Sequence, residues 1–158
     1  MPNAPHTDSP APPMGPREIV EEFLRLMMVP APLEAQRFTA PDLQILFTGG
    51  RAMSRTAECA AFNAQRYAWV QKKFGRTDVA QGATDDEAIV YQTGTLYGAW
   101  PGGTPFEGNR YIDRYVVRKG LIVEMQVWND SAEWMLVRAG LAAPWPSPMN
   151  PDAQGATA

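Results

Sequence analysis

From Phe106 to Asp130 the chain reads FEGNRYIDRYVVRKGLIVEMQVWND, and its side-chain character alternates through most of that length. A repeat of two is the mark of a β-strand, whose successive side chains point to opposite faces. Arg110, Ile112, Arg114, Val116 and Arg118 form one row, and Asn109, Tyr111, Asp113, Tyr115 and Val117 form the other. Three arginines make the first row wet or interfacial, so the second is the covered one. Lys119-Gly120 suits a two-residue turn, because glycine takes positive φ without strain. On the return arm Val123, Met125 and Val127 alternate with Glu124 and Gln126, which keeps the covered face apolar. The segment therefore predicts one long hairpin with Asp113 between two tyrosines on its covered face.

Helical spacing dominates upstream. Pro16 to Met28, PREIVEEFLRLMM, places Ile19, Phe23, Leu26 and Met27 on one stripe, with proline at its start and acidic residues in the early turns. Pro30 and Pro32 break this helix, and a short second one is expected over Leu33–Phe38. Asp42 to Thr48 alternates as a strand that Gly49-Gly50 ends. Ser54 or Thr56 can cap a long helix running to about Lys73. Alanines at 57, 60, 61, 64 and 68 give that helix a smooth face, and Phe62, Arg66, Trp69 and Val70 give it a larger stripe. Strands are expected over Arg76–Ala83 and Glu87–Trp100, then the hairpin, then a short helix from Ser131 to Leu141. Helices followed by a run of strands predict an α+β domain. Its strongly curved, mostly antiparallel sheet would wrap around a long helix, with two N-terminal helices and a short C-terminal one. Such a cone encloses a cavity suited to small ligands.

Composition narrows the chemistry. The chain has 158 residues, a length that fits one domain, with a net charge of −3, one histidine and one cysteine. Residues 1–15 and 142–158 are Pro- and Ala-rich and read as flexible tails around a domain spanning 16–141. No basic run suggests nucleic acid, and no apolar run is long enough to span a bilayer. A lone Cys59 excludes an internal disulfide framework and fits a reducing cytoplasm. The only histidine, His6, lies in the N-terminal tail. Ser-His-Asp catalysis and His-based metal sites are thus not expected in the folded part, nor is any metal or cofactor. Acid–base chemistry is left to Asp, Glu, Tyr, Lys or a thiol.

Over Pro16–Leu141 the chain resembles the NTF2-like superfamily, specifically its SnoaL-like branch of polyketide cyclases, phenazine-biosynthesis proteins of the A/B type and ketosteroid isomerases. The segments that carry the resemblance are PREIVEEFLRLM, FTAPDLQILFTGG and GNRYIDRYVVRKGLIVEMQVWND followed by a helix. By that resemblance Asp113 is the counterpart of the ketosteroid isomerase aspartic acid that donates a hydrogen bond to the developing oxyanion. The other familiar groups are replaced. Phe47 stands where those isomerases carry their general base, and Val127 where other branches carry an inward Asp or Glu. Arg66 falls at the phenazine-type histidine, and the helix-one tyrosine has no match. The resemblance also implies a homodimer through the open sheet face.

Two readings of Asp113 stay open. In one it is the polar centre of an apolar pocket, its pKa raised by burial, acting as a base or as a protonated donor. Tyr111 and Tyr115, about 7 Å away along the same face, then orient it or bind a ligand oxygen. Asn109, Arg66, Trp69, Phe47, Phe62, Met125 and Val127 complete the expected ligand-binding wall. In the other, Asp113 pairs with a buried Arg66 and serves structure alone. The first reading implies a cofactor-independent isomerase, cyclase or dehydratase acting on a small, largely apolar metabolite. The alternative, supported by the replacement of the family's acids at Phe47 and Val127, is a non-catalytic binding or assembly module using the same pocket or the open sheet.

Overall fold

The computed structural model describes residues 13–144. The tails expected at 1–15 and 142–158, and His6 with them, fall almost wholly outside the described residues. The elements run α1 Pro16–Met28, α2 Pro32–Gln36, β1 Thr39–Phe47, β2 Arg51–Met53, α3 Thr56–Arg66, β3 Trp69–Gln81, β4 Glu87–Ala99, β5 Pro105–Arg118, β6 Leu121–Asn129 and α4 Ser131–Arg138. The strands form one six-stranded sheet in the order β2-β1-β6-β5-β4-β3. All neighbours are antiparallel except β1 and β6. The α+β cone expected from the sequence is the fold observed.

Register breaks bend this sheet. Gly108, at φ 84°, is the extra residue where the β4–β5 register slips between Leu96 and Tyr97. A second slip, between Val116 and Val117, leaves Val123 unopposed on β6. A third lies on β3 between Phe74 and Thr77. Each bulge adds local twist and bend to its strand. The Val123 bulge also changes the phase of β6, so Ile122 is buried on one side of it and Met125 and Val127 on the other. Val116, expected in the wet row, is buried at this irregularity, paired between Ile89 and Glu124. Lys119 and Gly120 both take positive φ, the tight hairpin turn whose twist matches the flanking strands.

α1 lies in the concavity against β3, β4 and β6. Ile19, Val20, Phe23, Leu24 and Leu26 are its buried residues, and they join Leu43, Ile45, Phe47, Val90, Tyr115, Val117, Ile122, Met125 and Val127 in the main core. Each such side chain contributes about 1.5–3 kcal/mol by leaving water. A second, aromatic cluster of Tyr67, Trp100, Phe106 and Tyr111 closes the other end of the hairpin, with Trp100 and Phe106 stacked at 4.3 Å between ring centroids.

The largest departure from the sequence reading is the helix expected to reach about Lys73. α3 ends at Arg66, and Tyr67 is already extended, at φ −129° and ψ 143°. Ala68 donates to the Ala99 carbonyl at 2.8 Å, and from Trp69 the chain pairs along nearly the whole of β4. The physical reason is the edge that β4 would otherwise leave bare: a long row of open backbone donors and acceptors outweighs about two turns of helix. Two glycines make the approach close enough. A Cβ on Gly98 would meet the Trp69 carbonyl at 2.2 Å, and one on Gly94 the Lys73 carbonyl at 2.1 Å. Trp69 consequently leaves the expected cavity wall. It lies 51% exposed, edge-on to Tyr97 at 5.9 Å.

Candidate functional site

Strand alternation on β3, β4, β5 and β6 delivers one row of side chains from each into the concavity. Val70 and Lys72 come from β3, Val90, Gln92 and Leu96 from β4, Tyr111, Asp113 and Tyr115 from β5, and Met125 and Val127 from β6. Register places Gln92 and Val127 directly beside Asp113 on the two neighbouring strands. Asp113 is 1% exposed. Its Oδ2 accepts from Lys72 Nζ and, at 3.2 Å, from the Tyr115 hydroxyl. Its Oδ1 is buried and accepts nothing from the protein.

Lys72 is the group the sequence reading missed. Its side chain is 9% exposed, and its Nζ sits 3.8 Å from the centre of the Tyr111 ring as well as against Asp113. Gly94 makes this stack possible, since it is the β4 residue paired with Tyr111 and offers no side chain between that ring and β3. The Tyr111 hydroxyl donates to Gln92 Oε1, and Gln92 Nε2 donates to the Thr93 carbonyl at 2.9 Å. Tyr111 is thereby held over the lysine.

Burial sets the electrostatics. It pushes Asp113 up from its ordinary value, although the Lys72 charge and hydrogen bond work against the rise. It pushes Lys72 down, with Asp113 opposing. Both members are displaced towards their neutral forms. Burial also raises Tyr115 and Tyr111, helped in each by the Asp113 charge, so neither phenol ionises near neutrality. Burial first, then Glu58, lifts the Cys59 thiol to about 12, which makes it inert although it lines the same cavity.

The cavity beside this cluster is lined by the expected Phe47, Tyr111, Asp113, Tyr115, Met125 and Val127, together with Lys72, Tyr67 and Asn63. Its free volume is about 50 Å³. That space admits a few waters, at about 10–15 Å³ for each. Much of the cone is filled by α1, whose Phe23, Leu24, Met27 and Met28 form the facing wall. Met27 and Met28 are half-buried at its rim, where the Met28 carbonyl accepts from Gln71 Nε2 on β3 at 2.7 Å.

The remaining expected residues lie elsewhere. Arg66 does not reach Asp113. Because α3 stops there, its guanidinium rests 3.8 Å from the centre of the Phe62 ring. Phe62 packs edge-on against Phe47 at 5.1 Å, behind the cavity wall. Asn109 is fully buried but belongs to a separate polar knot, in which its Nδ2 donates to Ser131 Oγ at 2.8 Å and Tyr67 Oη lies 2.6 Å from the same oxygen. The arginine row is ion-paired within the chain: Arg110 with Asp130, Arg114 with Glu124 and Arg118 with Glu87. Among the described residues no cluster of three or more His, Cys, Asp or Glu side chains is placed to hold a metal ion, and no helix is long and apolar enough to cross a membrane.

No family model and no curated protein matches this sequence. Solved structures do match its backbone. An NTF2-like protein from Burkholderia thailandensis superposes with a TM-score of 0.60 at 19% identity, covering 82% of this chain and 98% of the other. A loop-truncation variant of IdmH gives 0.59 at 22% identity, over 75% and 94% of the two chains. TerC co-crystallised with polyporic acid gives 0.59 at 14% identity, over 75% and 93%. The architecture they share over three quarters or more of this chain makes this an NTF2-like fold.

Proposed function

We propose that this protein is a cofactor-independent enzyme of the SnoaL-like type, which moves a proton next to the carbonyl of a small, largely apolar metabolite. The observation that carries the reading is the Asp113 carboxyl. One oxygen is fixed by Lys72 and Tyr115, while the other is buried without a hydrogen-bond partner, on a residue that lines the cavity. Oδ1 is then the base that removes an acidic C–H proton and returns it to a neighbouring position, the step common to isomerisation, aldol-type cyclisation and dehydration. Tyr111, Met125, Val127 and Phe47 bound the substrate. Met27, Met28 and Met125 line the space, and their flexible thioethers suit a wall that yields to admit a ligand. The co-crystallisation of TerC with polyporic acid supports a ligand-binding use of this fold. The reading includes a cytoplasmic protein, and a homodimer whose contact is the convex sheet face, where Leu46, Ile112 and Trp128 are exposed.

A second reading, a non-catalytic module whose Lys72–Asp113 pair is a core ion pair, is favoured by the smallness of the cavity. Hydrogen–deuterium exchange at the α-carbon of a cyclic ketone in D2O separates the two. The enzyme reading expects protein-dependent exchange that Asp113→Asn abolishes, and a wild-type Asp113 carboxyl that titrates, by NMR, above the ordinary 3.8. Equal exchange with wild type, mutant and buffer, together with an unshifted carboxyl, would establish the non-catalytic module.

A further inference from the structure

A lysine buried against a carboxylate, at the wall of a cavity, has more to offer than a counter-charge. Lys72 Nζ touches two groups, the Asp113 oxygen and the face of Tyr111, and Lys72 and Asp113 line the same cavity. The other two lysines are placed differently. Lys73, its neighbour, points to the opposite side of β3 and pairs in solvent with Glu107. Lys119 sits in the hairpin turn beside Asp86.

From this arrangement we infer that Lys72 is an imine-forming nucleophile and that the substrate class is aldehydes or ketones bearing an acidic α-hydrogen. The inference rests on the proton-transfer reading of Asp113 and deepens it. Lysines made nucleophilic by an apolar pocket are a general route to carbonyl chemistry. Here burial disfavours the charged ammonium and lowers its pKa, with Asp113 opposing, and the base that would remove its proton is already in contact.

The steps balance within the site. The Lys72 ammonium passes a proton to Asp113 Oδ2, and the freed Nζ adds to the carbonyl carbon as the C=O π pair moves to oxygen. Asp113 hands that oxygen the proton, giving a carbinolamine. A second proton, relayed from nitrogen through the same carboxylate, lets the hydroxyl leave as water. The product is a protonated imine beside a regenerated carboxylate. The cationic C=N then acidifies the α-carbon, whose proton goes to Asp113 as the C–H pair forms an enamine. Protonation at the α-carbon, or at the far end of a conjugated system, followed by addition of water, releases the rearranged carbonyl compound and the ammonium. Neither oxidant, reductant nor metal enters.

The test uses 2,4-pentanedione, a small diketone that condenses with a free amine to a stable conjugated enaminone. Full-length wild-type protein is treated near neutral pH, and modified peptides are mapped by mass spectrometry over time. The expected result is a mass gain of one diketone less one water on Lys72, forming about tenfold or more faster than on Lys73 and Lys119, since each unit of pKa depression gives about tenfold more free amine. Borohydride added with butanal is expected to leave a reduced adduct on the same residue. Label on Lys73 and Lys119 with none on Lys72 overturns the inference. In that event, ketone α-exchange that persists in Lys72→Met but not in Asp113→Asn leaves Asp113 acting alone as base. Absence of exchange in the wild type removes the underlying reading too.

Discussion

Replacing Lys72 by methionine removes the countercharge from Asp113 while keeping a side chain of similar length. The carboxylate would be left 1% exposed, with Tyr115 as its only side-chain donor. Breaking a buried ion pair from one side costs about 3–5 kcal/mol at neutral pH. A second route gives the same size. Without Lys72 only Tyr115 opposes the burial that raises the carboxyl, which favours its protonated form in the fold, whereas the unfolded chain ionises near 3.8. A group with a raised folded pKa contributes stability that is complete below the unfolded value and is lost as pH rises towards the folded one. The slope is about 1.4 kcal/mol per pH unit, so about three units between the unfolded pKa and neutrality give about 4 kcal/mol. Urea unfolding followed by circular dichroism from about pH 4 to pH 7 should therefore show Lys72→Met converging on wild type in acid and falling away above it. The double variant Lys72→Met/Asp113→Leu should be more stable at neutral pH than Lys72→Met, because an apolar pair carries no charge to desolvate. A single variant within about 1 kcal/mol of wild type at every pH would refute the reasoning, since that is the worth of a solvent-exposed pair.

Three further outcomes follow from the same geometry. Gly94→Ala places a Cβ 2.1 Å from the Lys73 carbonyl and 2.9 Å from Tyr111 Oη; thermal and urea unfolding should show a loss of about 2–3 kcal/mol, the upper part of the range for overpacking, and a smaller loss than about 1 kcal/mol would mean that β3 and β4 are further apart. The Cys59 thiol, lifted to about 12 by burial, should resist a disulfide reagent at about pH 8 in the folded protein and react within seconds once denatured. Glu87 is held below its usual 4.5 first by the Ala83 amide and then by Arg118; a lowered folded pKa means its contribution is present above the unfolded value and lost as pH falls through the folded one, so Glu87→Gln should flatten the acid limb of the stability curve below about pH 4.5.

The hairpin was legible because one face of it is dry. Alternation carries reliable information wherever a strand has a core side and a water side, and the row of Asn109, Tyr111, Asp113, Tyr115 and Val117 is buried throughout. The run from Ala68 to Phe74 was not legible for the converse reason. β3 is an edge strand with Trp69, Phe74 and Val79 exposed, so its sequence shows no apolar alternation. Its start also continues the spacing of α3, because Phe62, Arg66, Trp69 and Val70 fit a helical stripe as well as they fit chain order. What decides between them is the open edge of β4, a tertiary fact with no local trace except Gly94 and Gly98. The misreading had a chemical consequence. Lys72, set near a helix terminus, reads as a solvated charge; set on a strand beside Val70, it faces inward, and Arg66 ceases to be the partner of Asp113.

That exchange of partners bears on what the pair is for. An arginine against Asp113 would stay charged at any accessible pH, and its planar fork would occupy both carboxylate oxygens, which describes a structural clamp. A lysine occupies one oxygen, leaves Oδ1 without a partner, and can lose its proton when the surroundings are dry. Stability alone gives little reason for such a pair, because packed apolar side chains of the same volume serve as well or better. Among the cavity-lining residues, Phe23, Leu24, Phe47, Val70, Leu96, Met125 and Val127 already make an apolar interior into which two further hydrocarbons would fit. A charged pair with one unsatisfied acceptor there is an energetic liability to the fold, and that liability is the physical ground for the proposed acid–base role of Asp113.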